Sequence, residues 1–268
     1  MKTIEPYKTS LSANNAYWMA RMARLVYYNR PDDTPDEEKI IADLKAEDEK
    51  FISVTGDSKN SAQAMLVEHE DYFCLAFRGT NELNDWFDNF NAFLIKKLFG
   101  KFHRGFFNSV EDSWGPLFSK YQELRQKKKR PLFLTGHSLG GAMATVAAAK
   151  LIYMGLPFMS VYTFGQPRAL ENATARLFNI EAKSRFFRFH NNNDLVTRVP
   201  TRLMGYSHVG TYIYISEEME LHLEPGFWFH FLDSVDGAAN DLFKLGIDGV
   251  NDHSMDKYLS AVNNWNLM

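Results

Sequence analysis

An apolar run, Leu132-Phe133-Leu134-Thr135, passes through Gly136-His137-Ser138-Leu139-Gly140-Gly141 into Ala142 to Ala149, a stretch of small residues with helical character. A strand, a sharp turn and a helix in so few residues leave the backbone one practical path. The serine must sit on the turn itself, with strained dihedrals that only side-chain-free neighbours permit. Such a turn lifts the Ser138 hydroxyl into the open. It also sets the Leu139 N–H at a helix N-terminus, where an unpaired donor and the helix dipole favour a developing negative oxygen. G-x-S-x-G alone is a weak pattern; the strand before it and the helix after it make it specific.

The rest of the chain repeats this alternation. Short apolar runs at Tyr72 to Phe77, Ser160 to Phe164 and Phe186 to His190 are interleaved with helical stretches at Trp114 to Lys127, Gly141 to Tyr153 and Ala173 to Ala182. The pattern predicts an α/β fold with a mostly parallel central sheet flanked by helices. Ala13 to Tyr28 reads as a helix packing through Tyr17, Ala20, Ala23 and Tyr27, and Asp32 to Lys50 as a surface helix carrying Ile40, Ile41 and Leu44. No linker rich in Pro, Gly or Ser interrupts the series, so residues 1–268 read as a single domain. Ser216 to Asp252 breaks the regularity with acidic residues and Phe227-Trp228-Phe229-His230-Phe231, and reads as an insertion.

With 45% hydrophobic and 24% charged residues the chain can bury a sizeable core, which excludes disorder. Its longest nearly uninterrupted apolar stretch, around Ala142 to Ala149, falls well short of the ~20 residues of a spanning helix, so no transmembrane segment is expected. A net charge of -3 gives no general reason to expect nucleic acid. The clusters at Lys96-Lys97 and Lys127 to Arg130 read as solvated faces. Cys74 is the one cysteine, which rules out an intrachain disulfide; its strand context makes it a small hydrophobe. Met1 to Ser12 lacks a secretory pattern, so the expected compartment is the cytoplasm, or the outside if a leader has been removed.

A serine hydroxyl becomes a nucleophile only when a base takes its proton, and the base needs an acid to hold its tautomer. This turn type predicts the chain order Ser, Asp or Glu, His. Asp194 follows Phe186 to Asn193 and would stand at the C-terminal edge of a strand, where the sites of open α/β sheets collect. The base is one of His208, His222, His230 and His253. His208 leads into Val209 to Ile215 and would lie at the opposite edge, whereas His253 occupies a loop before Met255, Tyr258, Leu259 and Val262, and is favoured. A second oxyanion donor is expected from Arg78-Gly79-Thr80, at the end of an early strand, through the Thr80 N–H.

These segments together resemble the class 3 lipases, a group of α/β-hydrolases that includes the fungal triacylglycerol lipases. The resemblance runs from about Leu66 to Leu259. It rests on Phe77-Arg78-Gly79-Thr80 with Asp85-Trp86, His103-Arg104-Gly105-Phe106, Thr135 to Ala142, Thr163 to Arg168, Asn193 to Pro200, Gly205-Tyr206-Ser207-His208-Val209-Gly210 and Asp252-His253. It implies an α/β-hydrolase fold with Ser138 as nucleophile, Asp194 as acid, His253 as base, Thr80 and Leu139 as oxyanion donors, and His208 as a structural residue. In this family a lid follows the first oxyanion residue. The matching segment, residues 81–91, carries Trp86, Phe87 and Phe90 as candidate substrate contacts, either as a moving cover or as a fixed amphipathic turn.

The implied activity is hydrolysis of lipid esters, triacylglycerols first, with transient binding at lipid interfaces. The alternatives are a phospholipase A1 or other polar-lipid acyl hydrolase, and a non-enzymatic lipid-binding module. No metal or cofactor is expected: the histidines lack ligand spacing, and Gly136 to Gly141 lacks the ending of a phosphate loop.

Overall fold

The computed structural model describes residues 2–60, 62–80, 91–224 and 251–265. Its centre is an eight-stranded sheet built from β1 (Phe51–Lys59), β2 (Ala62–His69), β3 (Phe73–Phe77), β6 (Leu132–His137), β7 (Val161–Phe164), β9 (Phe186–Asn191), β11 (Thr211–Ile215) and β12 (Leu221–Leu223). Their spatial order is β1-β2-β3-β6-β7-β9-β11-β12. The five strands from β3 to β11 are parallel, and the outer pairings are antiparallel.

Parallel strands covered on both faces read as unbroken apolar runs, and alternate residues feed opposite cores. Phe73, Leu75 and Phe77 enter one core with Leu132, Leu134, Val161 and Phe186. Cys74 and Ala76 enter the other with Phe133, Tyr162, Phe187 and Phe189. The first face is covered by α3 (Arg104–Lys127) and α4 (Leu139–Tyr153), among others. α4 is apolar nearly all round because it lies between the sheet and α3, and only a helix clad on both sides can afford that composition. α1 (Ala13–Leu25) and α6 (Met255–Asn264) pack together on the opposite face. No helix among the described residues is long and apolar enough to cross a membrane.

Several local expectations change. α1 buries Ala16, Trp18, Met19, Met22 and Leu25 beside Ala20 and Ala23, while Tyr17 and Tyr27 are only partly covered. α2 (Glu37–Glu47) is the surface helix expected, burying Ile40 and Leu44. α3 begins ten residues before Trp114, with His103 as its cap: the His103 Nδ1 accepts from the Phe106 N–H at 3.3 Å. Arg130 is buried rather than solvated. It donates to the Glu68 carboxylate at 2.6 Å and lies 4.1 Å above the Phe73 ring.

A second sheet, in the order β10-β8-β5-β4, joins β4 (Leu94–Lys97), β5 (Gly100–His103), β8 (Leu170–Glu171) and β10 (Tyr206–Ser207). α5 (Asn172–Ala182) follows β8, capped by the Glu171 carboxylate. Of the segment read as an insertion, residues 216–224 extend the main sheet through β12. Phe227, Trp228, Phe229 and Phe231 lie outside the described residues, as do Trp86, Phe87 and Phe90.

Candidate active site

The strand register brings four chain segments to one edge of the sheet. Phe77 pairs with Gly136, His137 with Phe164, and Phe164 with Phe189. The residues just past each strand's C-terminal end therefore lie side by side: Gly79 and Thr80 after β3, Ser138 after β6, Gly165 after β7 and Asp194 after β9. This is the edge at which the sites of open α/β sheets form.

Ser138 has φ 58° and ψ -131°, a left-handed conformation costly for any residue with a Cβ. Its N–H is held by the Phe164 carbonyl at 2.9 Å, and α4 starts at the next residue. The turn closes so tightly that a Cβ on Gly136 would lie 2.3 Å from the Gly140 carbonyl oxygen, which is why that position takes glycine. Leu139 is the first residue of α4, so its N–H is one of those a helix cannot pair internally. Gly79 packs against the Ser138 Cβ, which brings the Thr80 loop alongside the serine.

Asp194 is fully buried and ringed by donors. His253 Nδ1 lies 2.9 Å from both carboxylate oxygens, the Val196 N–H donates to Oδ1 at 3.0 Å, and the Tyr258 hydroxyl donates to Oδ2 at 2.6 Å. Burial pushes this carboxyl up; the neighbouring His253 and the Tyr258 hydrogen bond outweigh it and hold the group below its ordinary value. An ionised carboxylate only accepts, so His253 Nδ1 carries the proton and Nε2 keeps its lone pair. That Nε2 is buried and has no hydrogen-bond partner among the described residues.

The loop before α6 is anchored to the end of β9 by the asparagine run. Asn191 donates to the Asp252 carbonyl at 2.8 Å, the Asn192 side chain and Asn193 N–H donate to the Asp252 carboxylate at 3.2 Å, and Lys257 caps the same carboxylate at 2.9 Å. His253 is thereby fixed over Asp194, with its ring 4.5 Å from that of His137. The other candidate bases stand elsewhere. His208 bonds the Thr197 carbonyl at 2.7 Å just ahead of β11, His222 is exposed on the edge strand β12, and His230 lies outside the described residues.

Tyr258 was visible in the sequence only as one apolar position of a helix. A buried tyrosine on such a face needs a partner for its hydroxyl, and this is the one signal that marks it. Cys74 is fully buried and its thiol is pushed well up by burial, leaving it inert.

Residues 74–204 match the protein family described as Lipase (class 3). A secreted mono- and diacylglycerol lipase A of Penicillium cyclopium is 32% identical over 164 residues, covering 59% of this chain and 52% of that protein. A phospholipase A1-II 1 of Oryza sativa is 29% identical over 141 residues, covering 48% and 35%. The solved triacylglyceride lipase of Rhizomucor miehei superposes with a TM-score of 0.64 at 23% identity, over 77% of this chain and 81% of that one. The chain thus spans about half the length of the Penicillium relative. In its α/β-hydrolase fold, and in sequence over residues 74–204, this chain resembles the class 3 lipases.

Proposed function

We propose that this chain hydrolyses the carboxylic esters of lipids, acylglycerols first, through an acyl-enzyme on Ser138. The observation that carries this reading is the buried Asp194–His253 pair, with a lone-pair nitrogen left over at the edge where Ser138 sits. His253 Nε2 takes the Ser138 proton as Oγ attacks the ester carbonyl. Asp194 steadies the imidazolium that forms. The tetrahedral oxygen is held by the Leu139 and Thr80 N–H groups, each such donor contributing about 3 kcal/mol. His253 then protonates the departing alcohol, and the same imidazole activates water to release the acyl group.

Support for lipid esters comes from the match over residues 74–204 and from the named activity of the Penicillium relative. The segment 81–91 follows Thr80 directly and carries Trp86, Phe87 and Phe90 among polar residues; we assign it the acyl-chain contacts. The rice relative favours a second reading in which the head group is phosphorylated and the chemistry is unchanged. A panel of soluble short-chain esters, triacylglycerol emulsions and phospholipid vesicles, with Ser138→Ala as blank, separates them. The expected result is the fastest turnover on emulsions. Turnover confined to vesicles would establish the second reading, and turnover of none of the three would reject both.

Gly165 supplies a further test. It has φ +60°, and a Cβ there would lie 2.7 Å from Asp194 Oδ2 and 2.9 Å from the His253 ring. Gly165→Ala should cost about 1–2 kcal/mol in backbone strain. Displacing the pair should also lower kcat by about a hundredfold. Unchanged kcat for the folded variant would show that turnover does not depend on where this pair sits.

A further inference from the structure

We propose that Tyr27 and His137 form a positioning relay that holds the His253 loop and the Gly79–Thr80 loop in register with Ser138. The inference rests on the reading just given and adds residues that neither the triad nor the oxyanion donors include.

His137 is the last residue of β6, immediately before Ser138, and is buried. Its Nε2 lies 2.7 Å from the backbone carbonyl oxygen of His253. A carbonyl can only accept, so Nε2 bears the proton. Nδ1 is then a lone-pair nitrogen, and 2.8 Å away stands the Tyr27 hydroxyl, which must donate to it. The Tyr27 oxygen is seated directly against Gly79, where an added Cβ would lie 2.4 Å from it. The hydrogen bonds therefore run from Tyr27 to His137 Nδ1 and from His137 Nε2 to the His253 carbonyl, and the packing of the Tyr27 oxygen on Gly79 adds the third loop. One side-chain pair ties together the loop after β3, the turn after β6 and the loop before α6.

The direction of these bonds is fixed by chemistry at both ends. Burial, and then the neighbouring His253, hold the His137 imidazole down to about 3, so it stays neutral wherever ester hydrolysis is assayed. Tyr27 is likewise raised by burial and keeps its proton. Arg78, one residue before Gly79, lies 5.6 Å over the Tyr27 ring and presses the same junction from outside. A catalytic constellation loses about a hundredfold in rate when one group moves by an ångström, so three loops need a common tether.

If the Tyr27 hydroxyl is removed, His137 Nδ1 is left buried without a donor. The ring keeps its proton on Nε2, where the His253 carbonyl accepts it, but its Nδ1 edge is no longer held, so the imidazole can tilt and the His253 loop shifts with it. The test uses the full chain with Tyr27→Phe, His137→Leu and His137→Gln. The readouts are the rate of Ser138 modification by a soluble p-nitrophenyl phosphonate, kcat and KM on a short-chain p-nitrophenyl ester, and the thermal midpoint. Tyr27→Phe should slow phosphonylation and kcat by about tenfold to a hundredfold with KM nearly unchanged. His137→Leu should lose at least as much. His137→Gln, whose side-chain amide can still donate to the His253 carbonyl, should recover part of that loss.

A merely structural role would lower the thermal midpoint and leave the rate per folded molecule alone; that result overturns the relay. So does a glutamine variant no faster than the leucine one. Where His137→Leu does not fold, Tyr27→Phe decides, since it deletes a single oxygen. An unmodified chain inert to the phosphonate would reject the proposed function itself, whereas a reactive chain with an equally reactive Tyr27→Phe rejects only the relay.

Discussion

Ser138→Ala should abolish ester hydrolysis for practical purposes, lowering kcat by about a millionfold, the loss typical when a triad nucleophile is deleted. The substitution removes one oxygen and keeps the Cβ, so the strained φ of 58° costs alanine what it costs serine. The elbow, the Phe164 carbonyl contact and the start of α4 involve only backbone and stay in place. Because Ser138 is 2% exposed, losing a polar atom there should leave the thermal midpoint unchanged or slightly higher. The expected signature is thus near-zero turnover in a protein as stable as its parent, with some substrate affinity retained. Residual rate should remain about 10³–10⁴ above water, from binding and the oxyanion donors alone. Turnover within tenfold of the parent's would remove Ser138 from the chemistry.

The sequence made the centre of the sheet legible because strands buried on both faces must be apolar throughout. Phe73–Phe77 is apolar from end to end, and Leu132–His137 and Phe186–Asn191 begin apolar and carry their polar residues mostly towards the site; all three are buried along their whole length. The same pattern put Ser138 and Asp194 at C-terminal strand ends, while His253 was favoured among four histidines from its loop position before a helix. The four-stranded sheet left no comparable trace. Its strands are two to four residues long, β4 is largely uncovered, and β5 and β8 pair across nearly seventy residues of chain. Runs that short have no period to detect.

The start of α3 was hidden for a different reason. Its cap is a histidine and its second residue is Gly105, neither of which signals a helix N-terminus. Tyr27 and Tyr258 were invisible as functional groups because their partners lie 110 and 64 residues away. Periodicity reports which face of a helix is buried; it does not report what a buried hydroxyl meets. The asparagine run is the reverse case. In the sequence it marks only the end of a strand before Asp194, and the structure gives it a task, holding Asp252 and with it the His253 loop.

Asp194→Asn should lower kcat by about 10⁴-fold while leaving the fold intact, and the direction of each hydrogen bond explains why. Asp194 Oδ1 faces the Val196 N–H, a backbone donor that cannot become an acceptor, so an asparagine must place its carbonyl oxygen there. Its NH₂ then takes the Oδ2 position, facing the Tyr258 hydroxyl and His253 Nδ1. The hydroxyl can reverse and accept. The imidazole meets the amide oxygen and the NH₂ at the same 2.9 Å, and the NH₂ opposes a proton on Nδ1, favouring the tautomer that carries its proton on Nε2 and leaves no base for Ser138. The same substitution changes the acid limb of stability. Asp194 is held below its ordinary value, so its contribution is complete above the unfolded carboxylate's pKa of about 4 and is lost as pH falls through the lower folded value. The asparagine variant has no such contribution to lose, and its thermal midpoint should fall less steeply than the parent's on acidification. Turnover at neutral pH within tenfold of the parent's would mean that the tautomer of His253 is set by something other than this carboxylate.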